Sequence, residues 1–332
     1  MYKEDADGEI IEKAKKALVE KVKNILPHFS ISTSLAMYAG KPDNFSVNNP
    51  SQKILRDTCL YYDGGFKLIH FTSLKNAIEI LNNGYLYLNN LSLLDDPNEF
   101  SSGAIDLTGI PNEQIIGYKQ LFYQISFCEY QDNEEVHFDN WRLYGENGKG
   151  VGLVFKVEKE NFDEWSNYFL SKIVYEGQEQ HSQIKQLYNS FISETKKFEV
   201  ENDFQLNDRE LILMRIYSFI KKGIYKSESE VRLLHYSQDT SSNNFSLSNE
   251  FHLYPKAKLY LKFEKHKNIN QGIQDCIKQS SLPHINLDSM IVGYRYNETD
   301  FHKISNSLEM LIYRMTESIV KAKQSELRKF FT

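Results

Sequence analysis

Near the start of the chain, Ile10, Ala14, Leu18, Val22 and Ile25 recur at helical spacing among Lys and Glu. That stripe predicts a helix over 10–26 that stops at Pro27. The polar stretch holding Pro42, Asn48, Asn49 and Pro50 reads as loop. From residue 66 the pattern changes to short apolar runs. Residues 66–70 predict a strand, Thr72 or Ser73 caps a helix through 76–81, and Asn82, Asn83 and Gly84 close it. Further strands are predicted at 85–88, 123–128 and 151–155. Between them lie a turn and short helix at 95–100, begun by Pro97, and a short helix carrying Trp141 and Tyr144. Residues 172–175 predict a strand, 178–201 and 208–222 two helices, and 231–234, 257–263 and 289–294 more strands. Thr299 or Asp300 opens a final helix with the stripe Ile304, Leu308, Leu311, Met315 and Ile319. Strands, then helices, then strands predict an α+β domain with a helical insertion. The expected division is an N-terminal helix and connection over 1–65, an α+β domain over 66–298 with its insertion at about 178–222, and a C-terminal helix over 299–332.

Composition narrows the picture modestly. A chain of 332 residues can bury an ample core. Its net charge of −6 argues against a broad basic surface that coats nucleic acid, while leaving room for a local basic groove. The 21 Phe and 21 Tyr are expected mainly in core and half-buried strand packing. Cys59, Cys128 and Cys276 are odd in number and far apart, which disfavours a disulfide framework and favours a reducing compartment. The N-terminus lacks the pattern of a secretory leader, and the apolar stretch 211–220 contains Arg215 and is too short to span a bilayer. The expectation is a soluble cytoplasmic protein with no membrane partner.

Three strings carry candidate chemistry. His70 closes an apolar strand and is followed by Phe71, Thr72 and Ser73. It suits a hydrogen bond to a ribose hydroxyl, or a buried imidazole satisfied by a backbone carbonyl. Trp141 and Tyr144 lie three apart on one helix face. They suit a wall against which a flat ring stacks, or a core-facing aromatic pair. Glu228 and Glu230 alternate on a strand-like run, so both carboxylates are expected on one face, with Arg232 as their neutralising cation. That arrangement suits a carboxylate stabilising an oxocarbenium-like transition state at a sugar, or an exposed ladder of charges. Gly148 and Gly150 permit a sharp turn or close approach to a ligand. The nine histidines show no paired ligand spacing, no Cys-x-x-Cys occurs, and neither a Gly-x-Gly-x-x-Gly nor a P-loop string is present, so no metal site is expected.

In order along the chain stand His70-Phe71-Thr72-Ser73, Asp95-Asp96-Pro97-Asn98-Glu99, Ser126-Phe127, Trp141-x-x-Tyr144 and Glu228-x-Glu230-x-Arg232. Over about 66–295 this series resembles a widespread bacterial domain family of unknown function. That family shows His-Tyr-Thr-Ser, Asn-Asp-Pro-x-Glu, Ser-Phe, Trp-x-x-Tyr and Glu-x-Glu-x-Arg. Phe71 replaces the usual Tyr, and Asp95 the usual Asn.

More remotely, the His-x-Thr strand, the helix ending in Gly, the aromatic-bearing helix and the late Glu-x-Glu resemble the ADP-ribosyltransferases. That resemblance implies a split β-sheet core flanked by the terminal helices, and NAD as the bound nucleotide. It implies His70, Tyr144, Glu228 and Glu230 as catalytic residues, with Glu230 central and Glu228 orienting the acceptor. His70, Phe71, Thr72, Ser73, Ser126, Trp141, Tyr144 and Arg232 would then contact NAD. The acceptor it implies is nucleic acid, protein or water, in a toxin or phage-defence effector that a partner protein could regulate. Two other classes stay open. One is a non-enzymatic module that senses a nucleotide or binds a protein. The other is a nucleic-acid hydrolase in which Asp96, Glu99, Glu228 and Glu230 gather Mg²⁺.

Overall fold

The computed structural model describes residues 2–34, 44–47, 51–94, 100, 112–202, 205–206, 209–237, 256–278 and 282–331. In chain order the elements begin with α1 (Tyr2–Val22), β1 (Ile31–Ser34), β2 (Asn44–Val47), β3 (Lys67–Thr72), α2 (Leu74–Asn83) and β4 (Tyr85–Asn90). Next come α3 (Asn112–Lys119), β5 (Phe122–Glu129), α4 (Phe138–Leu143), β6 (Val151–Val157), β7 (Tyr168–Lys172) and β8 (Val174–Tyr175). The insertion holds α5 (Glu179–Asn202), β9 (Gln205–Leu206), α6 (Arg209–Tyr217) and β10 (Ile220–Lys221). The chain closes with β11 (Glu230–Tyr236), β12 (Lys256–Tyr260), α7 (Gln271–Lys278), β13 (Ile285–Val292), α8 (Glu298–Thr316) and β14 (Ala322–Gln324). The fold is mixed α and β around a central, mostly antiparallel sheet. Among the described residues, no helix is long and apolar enough to cross a membrane.

Nine strands of the described residues form that sheet, and its topology branches at β5. One edge of β5 pairs with β11 along its whole length, from Phe122 opposite Tyr236 to Cys128 opposite Glu230. The other edge is shared. β4 pairs with it at Tyr123 and Gln124, and β3 pairs with it at Cys128 and Glu129. Ile125, Ser126 and Phe127 therefore face a fork where the two arms of the sheet diverge.

Period-2 alternation explains how both faces of this sheet are covered. Leu68, Phe127 and Phe155 pack with Ala77 and Leu81 of α2 and with Leu308 and Ile312 of α8 on one face. On the other, Ile69, Phe71, Val154 and Ile291 pack with Trp141 of α4. The helix α2 is set by its ends. Ser73 Oγ accepts from Asn76 N at 3.0 Å, and Gly84 closes the helix at φ 75°. A Cβ at Gly84 would stand 2.8 Å from the His266 ring, so a side chain there is excluded on both grounds.

The insertion forms the first of its two predicted helices as α5, but the second stops short of the predicted 208–222. α6 ends at Tyr217, and Ile220 and Lys221 pair in parallel with Val174 and Tyr175. Burial decides this, because Phe219 and Ile220 are enclosed in the insertion core. The same core takes in Leu18 and Val22 of α1, and Phe29 meets Phe191 edge-on at 5.8 Å. Gln52 is fully buried, and its side-chain amide exchanges two hydrogen bonds with the Leu170 backbone, at 2.8 and 3.0 Å. Part of the segment read as loop is a strand, since β2 lies between β1 and β9 in a small sheet.

Candidate functional site

A cavity of about 650 Å³ occupies the fork. His70 and Thr72 of β3, Ser126 of β5, Tyr144, Glu228 and Glu230 all line it. Glu79 and Asn83 of α2 line it too.

His70 sits at the divergence of the two arms. Its Nδ1 lies 2.9 Å from the Ser126 carbonyl, which can only accept, so Nδ1 carries the proton. Burial holds the imidazole below its ordinary pKa, against the opposing pull of that hydrogen bond. The ring is therefore neutral near pH 7, and Nε2 is a hydrogen-bond acceptor. A backbone carbonyl satisfies one nitrogen, as one of the two sequence readings of His70 expected, and the residue lines the cavity.

Ser126 joins this histidine to the carboxylates. Its hydroxyl donates to Glu230 Oε1 at 2.7 Å. Arg232 grips the same carboxylate through Nε to Oε1 at 2.8 Å and Nη2 to Oε2 at 3.1 Å, and its Nη1 donates to the Ser218 carbonyl at 2.6 Å. Lys221 Nζ stands 2.7 Å from Glu230 Oε2 and 2.8 Å from Glu228 Oε2. Although burial raises the pKa of Glu230, the Arg232 and Lys221 charges and their hydrogen bonds outweigh it and bring it down to about 2. The Glu230 amide donates to the Tyr175 hydroxyl at 3.0 Å. With four donors on one carboxylate, Glu230 is an ion-pair anchor with no acceptor position left for a ligand.

Glu228 differs. It is not on the strand, as the alternation predicted, but ends the 3₁₀ helix Gly223–Glu228, and Ser229 turns the chain at φ 46° before β11 begins. The two carboxylates still converge, because Lys221 binds both. Glu228 Oε1 accepts from the Tyr144 hydroxyl at 2.8 Å, which leaves each Glu228 oxygen a further acceptor position. Burial and the Glu228 carboxylate both raise the Tyr144 pKa, keeping the phenol protonated and donating.

One further expectation is corrected. Trp141 and Tyr144 do not form one wall. Trp141 is 1% exposed and meets Phe71 edge-on at 4.9 Å in the core, whereas Tyr144, just past the last turn of α4, is 50% exposed. Trp141 thus packs on protein. The Phe71 ring packs against it and His137 while the residue also lines the cavity, Ser73 caps α2, and Arg232 is buried behind Glu230. Gly148 serves close packing. At φ 83° it lies under Tyr294, where a Cβ would stand 2.4 Å from the ring. Gly150 packs likewise, with the Thr72 carbonyl 2.2 Å from where its Cβ would be.

Asp96 and Glu99 lie outside the described residues. Among those described, no group of three His, Cys, Asp or Glu side chains is placed to hold a metal ion. Between Glu228 and Glu230, the position of a bridging divalent cation is taken by the Lys221 ammonium. Lys221 is the site residue that sequence reasoning missed. It sat inside a predicted helix, and its only local signal was a lysine ending an apolar run.

Residues 140–233 match the family described as "Protein of unknown function (DUF2971)". That span holds Asn140, Tyr144, Lys221, Glu228, Glu230 and Arg232, the carboxylate side of the cavity. No curated protein and no solved structure matches the chain.

Proposed function

We propose that the fork binds NAD and that the chain is an ADP-ribosyltransferase-like enzyme, cleaving the nicotinamide–ribose bond and passing ADP-ribose to an acceptor. One observation carries this reading. A neutral histidine acceptor, a donating tyrosine and a carboxylate with acceptor positions to spare converge on one cavity where a sheet splits. A cavity of about 650 Å³ is of the size that small-molecule and cofactor sites have. The donor set also fits a nucleoside. His70 Nε2 and Glu228 both accept from ribose hydroxyls, and the exposed Tyr144 ring offers a face to a planar base.

In the reaction the C1′–N bond breaks and nicotinamide leaves as a neutral ring with the bonding pair. A lone pair of the acceptor forms the new bond at C1′, and its proton passes to solvent. Positive charge grows on the ribose in between. A carboxylate fixed beside it stabilises that charge more than it stabilises the bound substrate. We assign this role to Glu228, and to Glu230 the role of holding Lys221 and Arg232 in place, because the Glu230 acceptor positions are already filled. His70 positions the substrate. Incubating the protein with NAD and measuring free nicotinamide tests the proposal. Release that the Glu228→Gln variant lacks supports it, and no release together with no NAD-induced thermal stabilisation overturns it.

A second reading is favoured by the completeness of the Glu230 network, whose two carboxylates and two cations cancel. Such a cluster is also what a nucleotide-binding module without catalysis would keep. Thermal stabilisation by NAD with no nicotinamide release selects that module.

A further inference from the structure

The floor of the fork is one face of β5, on which Gln124, Ser126 and Cys128 alternate, and all three line the cavity. Two of them belong to the carboxylate end. Ser126 donates to Glu230, and Cys128 Sγ lies 3.4 Å from the Glu228 carbonyl. Gln124 is four residues from Cys128, about 13 Å along an extended strand. It marks the other end of the cavity. Asn89 of β4 stands directly opposite it there, exposed and also lining the cavity.

Gln124 is 5% exposed, and its Oε1 is buried with no hydrogen-bond partner among the described residues. Gln52 shows the contrast. That side chain is buried as well, and both of its amide atoms are bonded to the Leu170 backbone. A glutamine that served only the fold would be satisfied in the same way, because an unpaired buried acceptor costs stability. Of the buried polar side-chain atoms without a partner among the described residues, only Gln124 Oε1 belongs to a residue lining the cavity. The last torsion of a glutamine is broad and close to two-fold, so a turn of the amide brings Oε1 to a ligand.

We propose that Gln124 reads the base at the far end of the substrate, and that this base is adenine. The placement of the reacting end rests on the transferase reading, whereas the base contact itself does not require turnover. Three features select this ligand. A substrate with its nicotinamide ring at Tyr144 and its ribose at Glu228 reaches Gln124 only with a second base, which a dinucleotide has. The Gln124 and Asn89 amides carry no charge, which suits a neutral base better than a phosphate. An amide also offers an acceptor beside a donor in one plane. Adenine presents the complement, an exocyclic N–H beside a ring nitrogen, and glutamine pairs with adenine in this bidentate way.

The test compares NAD with etheno-NAD, whose exocyclic nitrogen is tied into an added ring and carries no N–H. Binding to the full chain is read by calorimetry, and turnover by nicotinamide release. The parent protein is expected to prefer NAD at least tenfold in Kd and in KM, because the analogue leaves Oε1 unpaired. Gln124→Met keeps the length of the side chain without its polar atoms. It is expected to weaken NAD at least tenfold in Kd and KM, with kcat little changed, and to lose the preference. Without ligand it is expected to melt no lower than the parent, since it removes an unpaired buried acceptor. If this variant misfolds, the preference of the parent protein still decides. Adenosine monophosphate, which carries the base without nicotinamide, is titrated in parallel.

Nicotinamide release with equal KM for the two dinucleotides overturns the base contact and leaves the proposed function standing. A preference that survives in Gln124→Met also overturns it, by placing the base elsewhere. Equal losses for both dinucleotides with a lowered melting point would make Gln124 a residue of the fold alone, and overturn it too. Binding of NAD or adenosine monophosphate that Gln124→Met loses, without any nicotinamide release, supports the base contact and sinks the transferase reading instead. Binding of neither ligand overturns both.

Discussion

At the scale of single residues, two glutamates two positions apart have opposite environments, and this makes them separable. Glu230 neutralises Arg232, which is 1% exposed, and shares Lys221. Glu230→Gln removes one partner from a buried pair and is expected to destabilise the fold by about 3–5 kcal/mol, read as a lowered denaturation midpoint. Glu228→Gln keeps the hydrogen bond to Tyr144 and leaves Lys221 on Glu230. It is expected to melt close to the parent protein yet release nicotinamide at least about 10²-fold more slowly, the usual effect of losing one preorganised electrostatic group. If Glu228→Gln turns over normally while a well-folded Glu230→Gln does not, the two roles are reversed. These assignments reach past the sequence reading. Alternation on a strand treated the two carboxylates as equivalents, and the left-handed turn at Ser229 is what makes them different.

At the scale of elements, the short helix α4 holds Tyr144 over the cavity, and the end of the chain holds α4. Glu134 lies just before α4 and is 2% exposed. Its Oε2 accepts from Ser325 Oγ at 2.6 Å and from the Glu326 amide at 3.2 Å, and Lys323 Nζ stands 3.3 Å from Oε1. Further on, Phe331 stacks on Tyr294 at 4.5 Å and on Phe138, the first residue of α4, at 6.0 Å. Glu134→Ala is expected to cost about 2–3 kcal/mol, because it strips a buried carboxylate from two donors and a cation. Faster amide exchange confined to 134–145 would show that the clamp acts on α4, and unchanged exchange there would remove this role. Periodicity predicted α4 but could not reveal the clamp, since its two halves are 191 residues apart.

At the scale of the whole molecule, buried titratable groups set the response to acid. Burial lowers His137 and His235 from 6.5 to about 4. Each is neutral in the fold and binds a proton more readily when unfolded, so each favours unfolding progressively as pH falls from 6.5 to about 4. Glu230 is lowered from 4.5 to about 2, and its contribution, about 3 kcal/mol, is lost as pH falls through that lower window. Both effects have one sign, and stability is expected to rise with pH from about 2 to about 6.5. His137→Phe keeps the ring packed against Phe71 and removes one of these protons. Its melting temperature should fall less between pH 6.5 and 4 than that of the parent. An equal slope would mean that His137 does not titrate between the two states.

The sequence by itself determined the local features. These are the apolar runs that become β3, β5, β6 and β11, the cap and stop of α2, the long stripe of α8, and the pairing of Arg232 with a glutamate two residues away. All of these depend on neighbours within a few positions, where periodicity and capping act. Only the tertiary structure decided that β5 is shared by two arms, that Trp141 faces the core while Tyr144 faces the cavity, and that Lys221 leaves a predicted helix to bind both carboxylates. Each of these follows from burial against elements far away in the chain. Strand pairing and a shared core outweigh local propensity wherever the two disagree, and the fork is where they disagree most.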